Sequence, residues 1–466
     1  MERAIMTDRM KVIKVGGGCL NGKKTIARIV DLIAQRGRGH IFVVSALNGI
    51  TDFLIASMEA ALADEANIPK IISRLKARHE LVARHLIRRP KEAKGFRQDL
   101  AKTLSKLERL YYGLNFTGKI SPRLRDAIVS FGERFAAQLL TAILSSRGIP
   151  TSYHMPQQIG MLTDGKFGDA TADIPATARN FKKILAPVLA NNKILFIPGF
   201  FGVSKKGDIT TFGRGGSDYS AAVVAAAMKA EILEIWKDVD GFMTADPKLV
   251  PCTELIPLLS YEEASELAYF GARILHPRCV EPVRTRKLNI AIKNTLDPDA
   301  EGSLITARSP RLNTVVKSVA HDCNIGILKV HAAGVGARPG ILAEVATCIT
   351  QNGINIKAVV TSQTCISLLL AGEDLAPGVA ALKNLRPKPF RRLEPVEDIA
   401  LISIVGEGLL TQKGIAANCF AAVAEAGVNV EMISFGPSRA ALYFLTKKTN
   451  LEKAINAIHA RFFTCS

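Results

Sequence analysis

The chain has a single tryptophan and no apolar run approaching the roughly 18–20 residues that a spanning helix requires, so no membrane partner is expected. Its first residues, MERAIMTDRMKVIKV, contain neither an apolar signal core nor a small-residue cleavage site, and export is not expected either. Cysteine is sparse and scattered: Cys19, Cys252, Cys279, Cys323, Cys348, Cys365, Cys419 and Cys465 form no CxxC pair. That pattern argues against a zinc site and a disulfide framework, and for a reducing cytoplasm with no protein-held metal. Acidic residues are also short, 42 against 61 Lys and Arg, for a net charge of +19. Twelve of those excess charges lie in residues 70–125, where sixteen Lys/Arg face four Asp/Glu. Leucine and isoleucine recur there at helical spacing with the basic residues between them, giving two amphipathic helices broken near Pro90. With no zinc-finger spacing and no aromatic RNA-binding signature, the charge reads as a solvated face, and no nucleic-acid partner is expected.

At 466 residues the chain has room for about three domains, at roughly 150 residues each. "MKVIKVGGG", "KKTIARIVDLIAQRG" and "HIFVVSAL" follow one another as strand, helix and strand. Later, "ILFIPGFFGV", "AEILEIWKDV" and "NIAIKN" alternate with helical segments. Continuous apolar strands separated by helices predict a mainly parallel sheet covered on both faces. The tail differs. A shift of 74 residues superposes Gly334, Gly340, Ile341, Ala343, Gly353 and Asn355 on Gly408, Gly414, Ile415, Ala417, Gly427 and Asn429, an internal duplication of a small βαβ-containing unit.

Two glycine-rich strand exits carry the chemistry. In "KVIKVGGGC" a strand ends at Lys14–Val15 and opens into Gly16, Gly17 and Gly18. In "TFGRGGSDYSAAVVA" an arginine, three glycines, a serine and an aspartate stand at the mouth of an Ala/Val-rich helix. Glycine lets backbone approach a ligand, and the first amides of a helix favour an anion. Neither stretch is GxxxxGK[ST] or GxGxxG, which disfavours P-loop and dinucleotide-binding readings. Either alone is a tight turn or a phosphate cradle; two in one domain, each with a basic residue, favour the cradle. "WKDVDGFMTADPKLVP" lacks the twelfth-position glutamate of a calcium loop and reads as an acidic turn or the edge of a nucleotide site.

In this order the segments "KVGGG", "VVSALNGITD" (43–52), "SFGERF" (130–135), "FGRGGSDYSA" (212–221), "KDVDGFMTADPK" (237–248) and "FGARILHP" (270–277), with "NVEMISFGPS" (429–438) near the end, resemble the aspartate kinase family over essentially the whole chain. The resemblance implies an α/β fold: a three-layer catalytic domain with a mainly parallel sheet at 10–305, carrying the basic helical excursion at about 65–117. Two ferredoxin-like βαββαβ ACT domains follow at 322–392 and 398–466, the second borrowing a strand at 314–320. It implies transfer of the ATP γ-phosphoryl group to the side-chain carboxylate of L-aspartate, giving 4-phospho-L-aspartate, the first step of aspartate-family amino-acid biosynthesis.

By the same resemblance Lys14 and Asp218 are catalytic. Ser45, Thr51, Glu133, Arg214 and Ser217 hold aspartate, with Glu133 on its ammonium and Arg214 on a carboxylate. Gly16, Gly17, Gly215, Gly216, Lys237, Asp238, Met243, Lys248 and Arg273 join Lys14 around ATP, with Mg²⁺ bridging the phosphates. An amino-acid effector is implied at Val335, Gly340, Ile341, Leu342, Asn355, Lys357, Thr361, Ser362 and Gln363. Lysine-sensing relatives tend to carry an acidic residue where Lys357 stands, so threonine is expected in preference to lysine. A homodimer or higher homo-oligomer through the ACT domains is implied as well. The family usually has a hydroxyl residue after Lys-Gly-Gly, where this chain has Gly18 and Cys19. Two alternatives stay open: an acylphosphate kinase with another carboxylate acceptor, and an amino-acid-binding regulator without kinase activity.

Overall fold

The computed structural model describes residues 10–272, 274–308 and 315–464. It divides into two compact units: 1–242, 257–265 and 273–309 make the first, and 243–256, 266–272 and 310–466 the second.

The first unit is built on an eight-stranded sheet in the order Thr151–Tyr153, Ile194–Pro198, Ile41–Val44, Val12–Val15, Leu233–Lys237, Ile290–Asn294, Ser303–Thr306, Leu258–Ser260. Every neighbouring pair is parallel except Ile290–Asn294 with Ser303–Thr306. Strand side chains alternate between faces. Ile13, Val15, Phe42, Val44, Ile194, Phe196 and Trp236 therefore enter one apolar layer with helices Gly22–Arg36, Ile50–Ala63 and Phe131–Ser145. Val12, Lys14, Val43 and Ile235 point the other way. That side is covered by helix Gly216–Met228, whose Ala/Val sequence is buried nearly all round.

The basic segment forms helices Asn67–Leu86 and Pro90–Thr117, with Pro90 at the start of the second, where its missing N–H removes no helical bond. Their apolar stripes, including Leu75, Val82, Leu100, Leu104, Leu107 and Tyr111, join the same layer while the basic residues face solvent. The stretch Pro122–Ser145 is long and apolar enough to cross a membrane, but 78% of its most apolar window is buried inside the protein, as in a core helix.

The second unit holds two antiparallel four-stranded sheets. One takes Ile325–His331, Ala358–Thr361, Cys365–Ala371 and Arg392–Val396, with helices Ile341–Gln351 and Gly372–Asn384 packed on it, a complete βαββαβ module. The other takes Ile399–Val405, Met432–Phe435 and Ala441–Lys447, with helices Ile415–Glu425 and Leu451–Phe462. Its fourth strand is Ser318–Asp322, paired antiparallel to Ile399–Val405, so the first module is inserted into the second. The strand read at 314–320 thus runs at 318–322, and residue 314 lies outside the described residues. Segment 243–256 packs within this unit: Ala245 and Val250 belong to the apolar core of the second module.

Candidate active site

The site forms where the central strands of the first unit end. Lys14 is the third residue of its strand and shares a face with Val12, so its stem runs toward helix Gly216–Met228. Lys14 Nζ lies 2.6 Å from Asp218 Oδ1, and both residues are buried. Burial pushes the Asp218 carboxyl up, but Lys14 and then Lys237 outweigh it and hold the group below the usual carboxylate range. Lys237, at the end of the neighbouring strand, is lowered by burial and partly restored by Asp218. Two cationic side chains, Lys14 and Lys237, therefore stand around the Asp218 carboxylate.

The backbone supplies the rest of the anion cradle. Gly215 caps helix Gly216–Met228 at φ +71°, and a Cβ there would fall 2.1 Å from His276 Cγ, so only glycine fits both the turn and the imidazole beside it. The Gly216 amide donates to Gly213 O at 2.9 Å, and the next amides, of Ser217 and Asp218, have no intrahelical acceptor. At the other exit the Gly16 amide donates to Trp236 O at 3.3 Å, continuing the sheet. The Gly16 and Gly216 amides are thus engaged within the protein, while Gly17, Ser217 and Asp218 are among the cradle residues whose amides have no backbone acceptor. Gly18 lies against Asp238, and a Cβ on it would sit 3.2 Å from Asp238 Oδ2, which places Asp238 at this loop. The neighbouring Cys19 is buried; its Sγ lies 3.5 Å from Trp236 O and burial raises its thiol pKa.

Ser45 extends the next strand, its amide donating to Val15 O at 3.2 Å, and the turn continues through Asn48 to the helix carrying Thr51. Glu133 is buried, and burial pushes its carboxyl up to about 8, only partly offset by the backbone at Glu133 and Ala46 and by the Lys14 and Arg134 charges. Arg214 is exposed at the cradle's edge, near enough to lower the His276 pKa, whose largest depression comes from burial. The structure thus brings together Lys14, Gly17, Ser45, Glu133, Arg214, Ser217, Asp218, Lys237 and Asp238. Met243 and Lys248 belong to the second unit, and Arg273 lies outside the described residues.

Three supporting residues escaped the sequence reading. His276 packs on the cradle glycine. Arg278 donates to Asp169 Oδ1, Phe212 O and Ala170 O and stacks over Tyr219, pinning the loop before the cradle. Asp126, nearly fully buried, accepts from the amides of Gly168 and Thr211 and from Thr211 Oγ1. The "LHP" segment was the only signal, and it pointed to His276 without giving it a role. Phe200 adds local strain: at φ +75° it donates its amide to Ser220 Oγ of the cradle helix.

In the second unit, Val335 N donates to Gln363 O at 2.9 Å, joining the loop before Gly340 to the turn holding Thr361, Ser362 and Gln363. Gly340 caps helix Ile341–Gln351 at φ +100°, and Leu342 and Asn355 are exposed. Lys357 Nζ is 2.6 Å from Asp322 Oδ2, and Tyr269 Oη donates to Lys357 O. The Lys357 charge, expected to confront an effector, is already paired.

Residues 9–294 match the amino acid kinase family model, and residues 402–462 match an ACT domain. Aspartokinase 1, chloroplastic, of Arabidopsis thaliana is 30% identical over 465 residues, covering 97% of this chain and 80% of its own length. The chain belongs to the aspartokinase family. Within that family it is 28% identical to the bifunctional aspartokinase/homoserine dehydrogenase of Haemophilus influenzae, covering 97% of this chain but only 56% of that relative's length. Escherichia coli aspartokinase III in complex with aspartate and ADP, an R-state crystal structure, superposes with a TM-score of 0.83 at 27% identity, covering 98% of this chain and 100% of that one. The same protein with lysine and aspartate, in the T-state, gives 0.82. The aspartokinase assignment agrees with the parallel catalytic sheet and the antiparallel C-terminal sheets, and it makes this chain a kinase.

Proposed function

We propose that the enzyme transfers the γ-phosphoryl group of ATP to the side-chain carboxylate of L-aspartate. The observation that carries this is the Lys14–Asp218 ion pair at 2.6 Å, which joins two glycine-rich exits two hundred residues apart in one site. A carboxylate is already a nucleophile and needs no base; the obstacle is repulsion between two anions. Lys14 and Lys237 offset charge on the transferring group, and the Gly17, Ser217 and Asp218 amides hold phosphate oxygens. Asp218 holds the Lys14 ammonium in place through the 2.6 Å ion pair. Arg214 grips a substrate carboxylate, Ser45 and Thr51 offer hydroxyls, and Glu133 receives the ammonium. Asp238, at the Gly18 loop, is assigned to the nucleotide side. Mg²⁺ is assigned to the nucleotide phosphates rather than to a protein ligand cage. When bound there, Mg²⁺ would neutralise phosphate charge.

The test is hydroxamate formation from ATP, aspartate and hydroxylamine. Product with aspartate and none with N-acetylglutamate is expected; the reverse, or no product at any magnesium concentration, overturns the reading.

The tail acts as an amino-acid sensor, with threonine favoured over lysine. Asp322, the carboxylate beside the effector strand, is already engaged by Lys357, so a lysine side chain would have to displace an internal ammonium. Inhibition of the aspartate-dependent reaction by threonine but not lysine is expected in an amino-acid panel, and the opposite ranking would overturn it. The edge strands Ala358–Thr361 and Met432–Phe435 leave Val359, Ile433 and Phe435 exposed, at positions related by the 74-residue repeat or beside it, and this supports pairing with a second copy. Light scattering should return a dimer or larger, and a monomer would refute the assignment. The seven described cysteines are free thiols, which supports a reducing, cytoplasmic setting.

A further inference from the structure

Glu133 is the third residue of helix Phe131–Ser145, only 3% exposed, and its Oε2 has no hydrogen-bond partner in the protein. Two charged groups face it, and neither is committed to it. Lys14, from the strand, is paired with Asp218. Arg134, from the same helix, lies over the rings of Phe131 and Phe201 and donates through Nε to Ser130 Oγ. On the helix packed against the other side, His79 stacks on Phe135; burial takes its pKa down to about 4, so it is neutral at pH 7. A buried carboxylate without a committed cation is costly, and the inexpensive alternative is to hold a proton.

We infer that Glu133 is a carboxylic acid in the ligand-free enzyme and exchanges its proton for the α-ammonium of the incoming amino acid. The inference rests on the aspartate reading above. The O–H bond of Glu133 breaks, its electron pair stays on the carboxylate, and the proton leaves to solvent. The carboxylate then accepts N–H bonds from the ammonium. The site thereby selects for a free amine: an acylated or deaminated acid brings no cation to replace the proton. Burial, which pushes the Glu133 carboxyl up to about 8, sets the pH range in which the exchange is visible.

Calorimetric titration of aspartate into the full-length enzyme, at pH 7 in phosphate and in Tris, counts the protons released from the difference in heat. About 0.9 proton per site is expected at pH 7 and about 0.1 at pH 9. In steady-state assays the KM for aspartate should fall about ninefold from pH 6 to pH 7, while the KM for ATP stays flat. E133Q should bind aspartate more weakly and release no proton. Aspartate binding with equal heats in both buffers at pH 7 overturns the exchange while leaving the kinase reading intact. Failure of aspartate to bind or react overturns both.

Discussion

Removing the Lys14 ammonium would leave Asp218 buried with Lys237 as its remaining near cation, and the transferring phosphoryl without its closest neutralising group. Lys14→Met is expected to lower kcat by about a thousandfold or more, the scale of losing a preorganised charge partner in a water-poor site. A variant within tenfold of wild type in the hydroxamate assay would refute the role. Gly215→Ala should be nearly as damaging for a steric reason, since the new methyl would fall inside His276 and the backbone sits at φ +71°. Lost activity with a lowered melting temperature is the expected result. For Glu133 the sign of pH dependence follows from the raised carboxyl. Below about 4.5 both folded and unfolded chains hold the proton and there is no penalty; between about 4.5 and 8 only the unfolded chain ionises freely, so stability falls as pH rises. Glu133→Gln should therefore stabilise the ligand-free protein increasingly from pH 5 to pH 9, by about 2–5 kcal/mol at the top, measured as the melting-temperature difference between the two proteins.

The inserted pair of basic helices teaches an element-scale lesson. Its charge reads as a solvated face, and what fixes the pair is apolar: Ile68, Leu75, Val82, Phe96, Leu104 and Tyr111 seat it on the core. His79 is its weak point. Fully buried, with Nε2 unpartnered, it binds a proton less readily folded than unfolded, from an ordinary 6.5 down to about 4. The unfolded chain therefore takes up the proton first as pH falls, and stability is lost between about 6.5 and 4. His79→Leu should flatten that acid limb, recovering up to about 3 kcal/mol at pH 4, as read from urea melts at pH 7 and pH 4. Parallel acid limbs for the two proteins would remove His79 from the account.

On the scale of the whole molecule, sequence order and structural unit part company. Segments 243–256 and 266–272 lie between catalytic strands in the chain, yet Ala245 and Val250 complete the second module's core and Phe270 packs against Tyr443 with tilted rings. A fragment cut after Ser309 keeps these residues without their partners. It should aggregate or elute broadly in size-exclusion chromatography, whereas the full chain should not. A monodisperse 10–309 fragment melting with full-chain cooperativity would contradict that division.

The alternation of apolar strands with helices, the duplicated tail and the two glycine-rich exits are local patterns, and local patterns are what a chain spells out directly. They suffice for the parallel sheet, the duplicated βαβ-containing tail unit and the two candidate cradles, because strand and helix periodicity are local; the βαββαβ modules and the meeting of Lys14 with Asp218 were implied only by the resemblance to aspartate kinases. What only the folded chain decided are relations between distant atoms. The Gly16 amide is taken by the Trp236 carbonyl. His276 and Arg278 from one segment and Asp126 from another brace the cradle, strand Ser318–Asp322 crosses to the later module, and Lys357 arrives beside Asp322. Glu133 could have been read from its spacing as a solvated helix residue; packing buried it, and burial rather than identity gives it a proton to exchange.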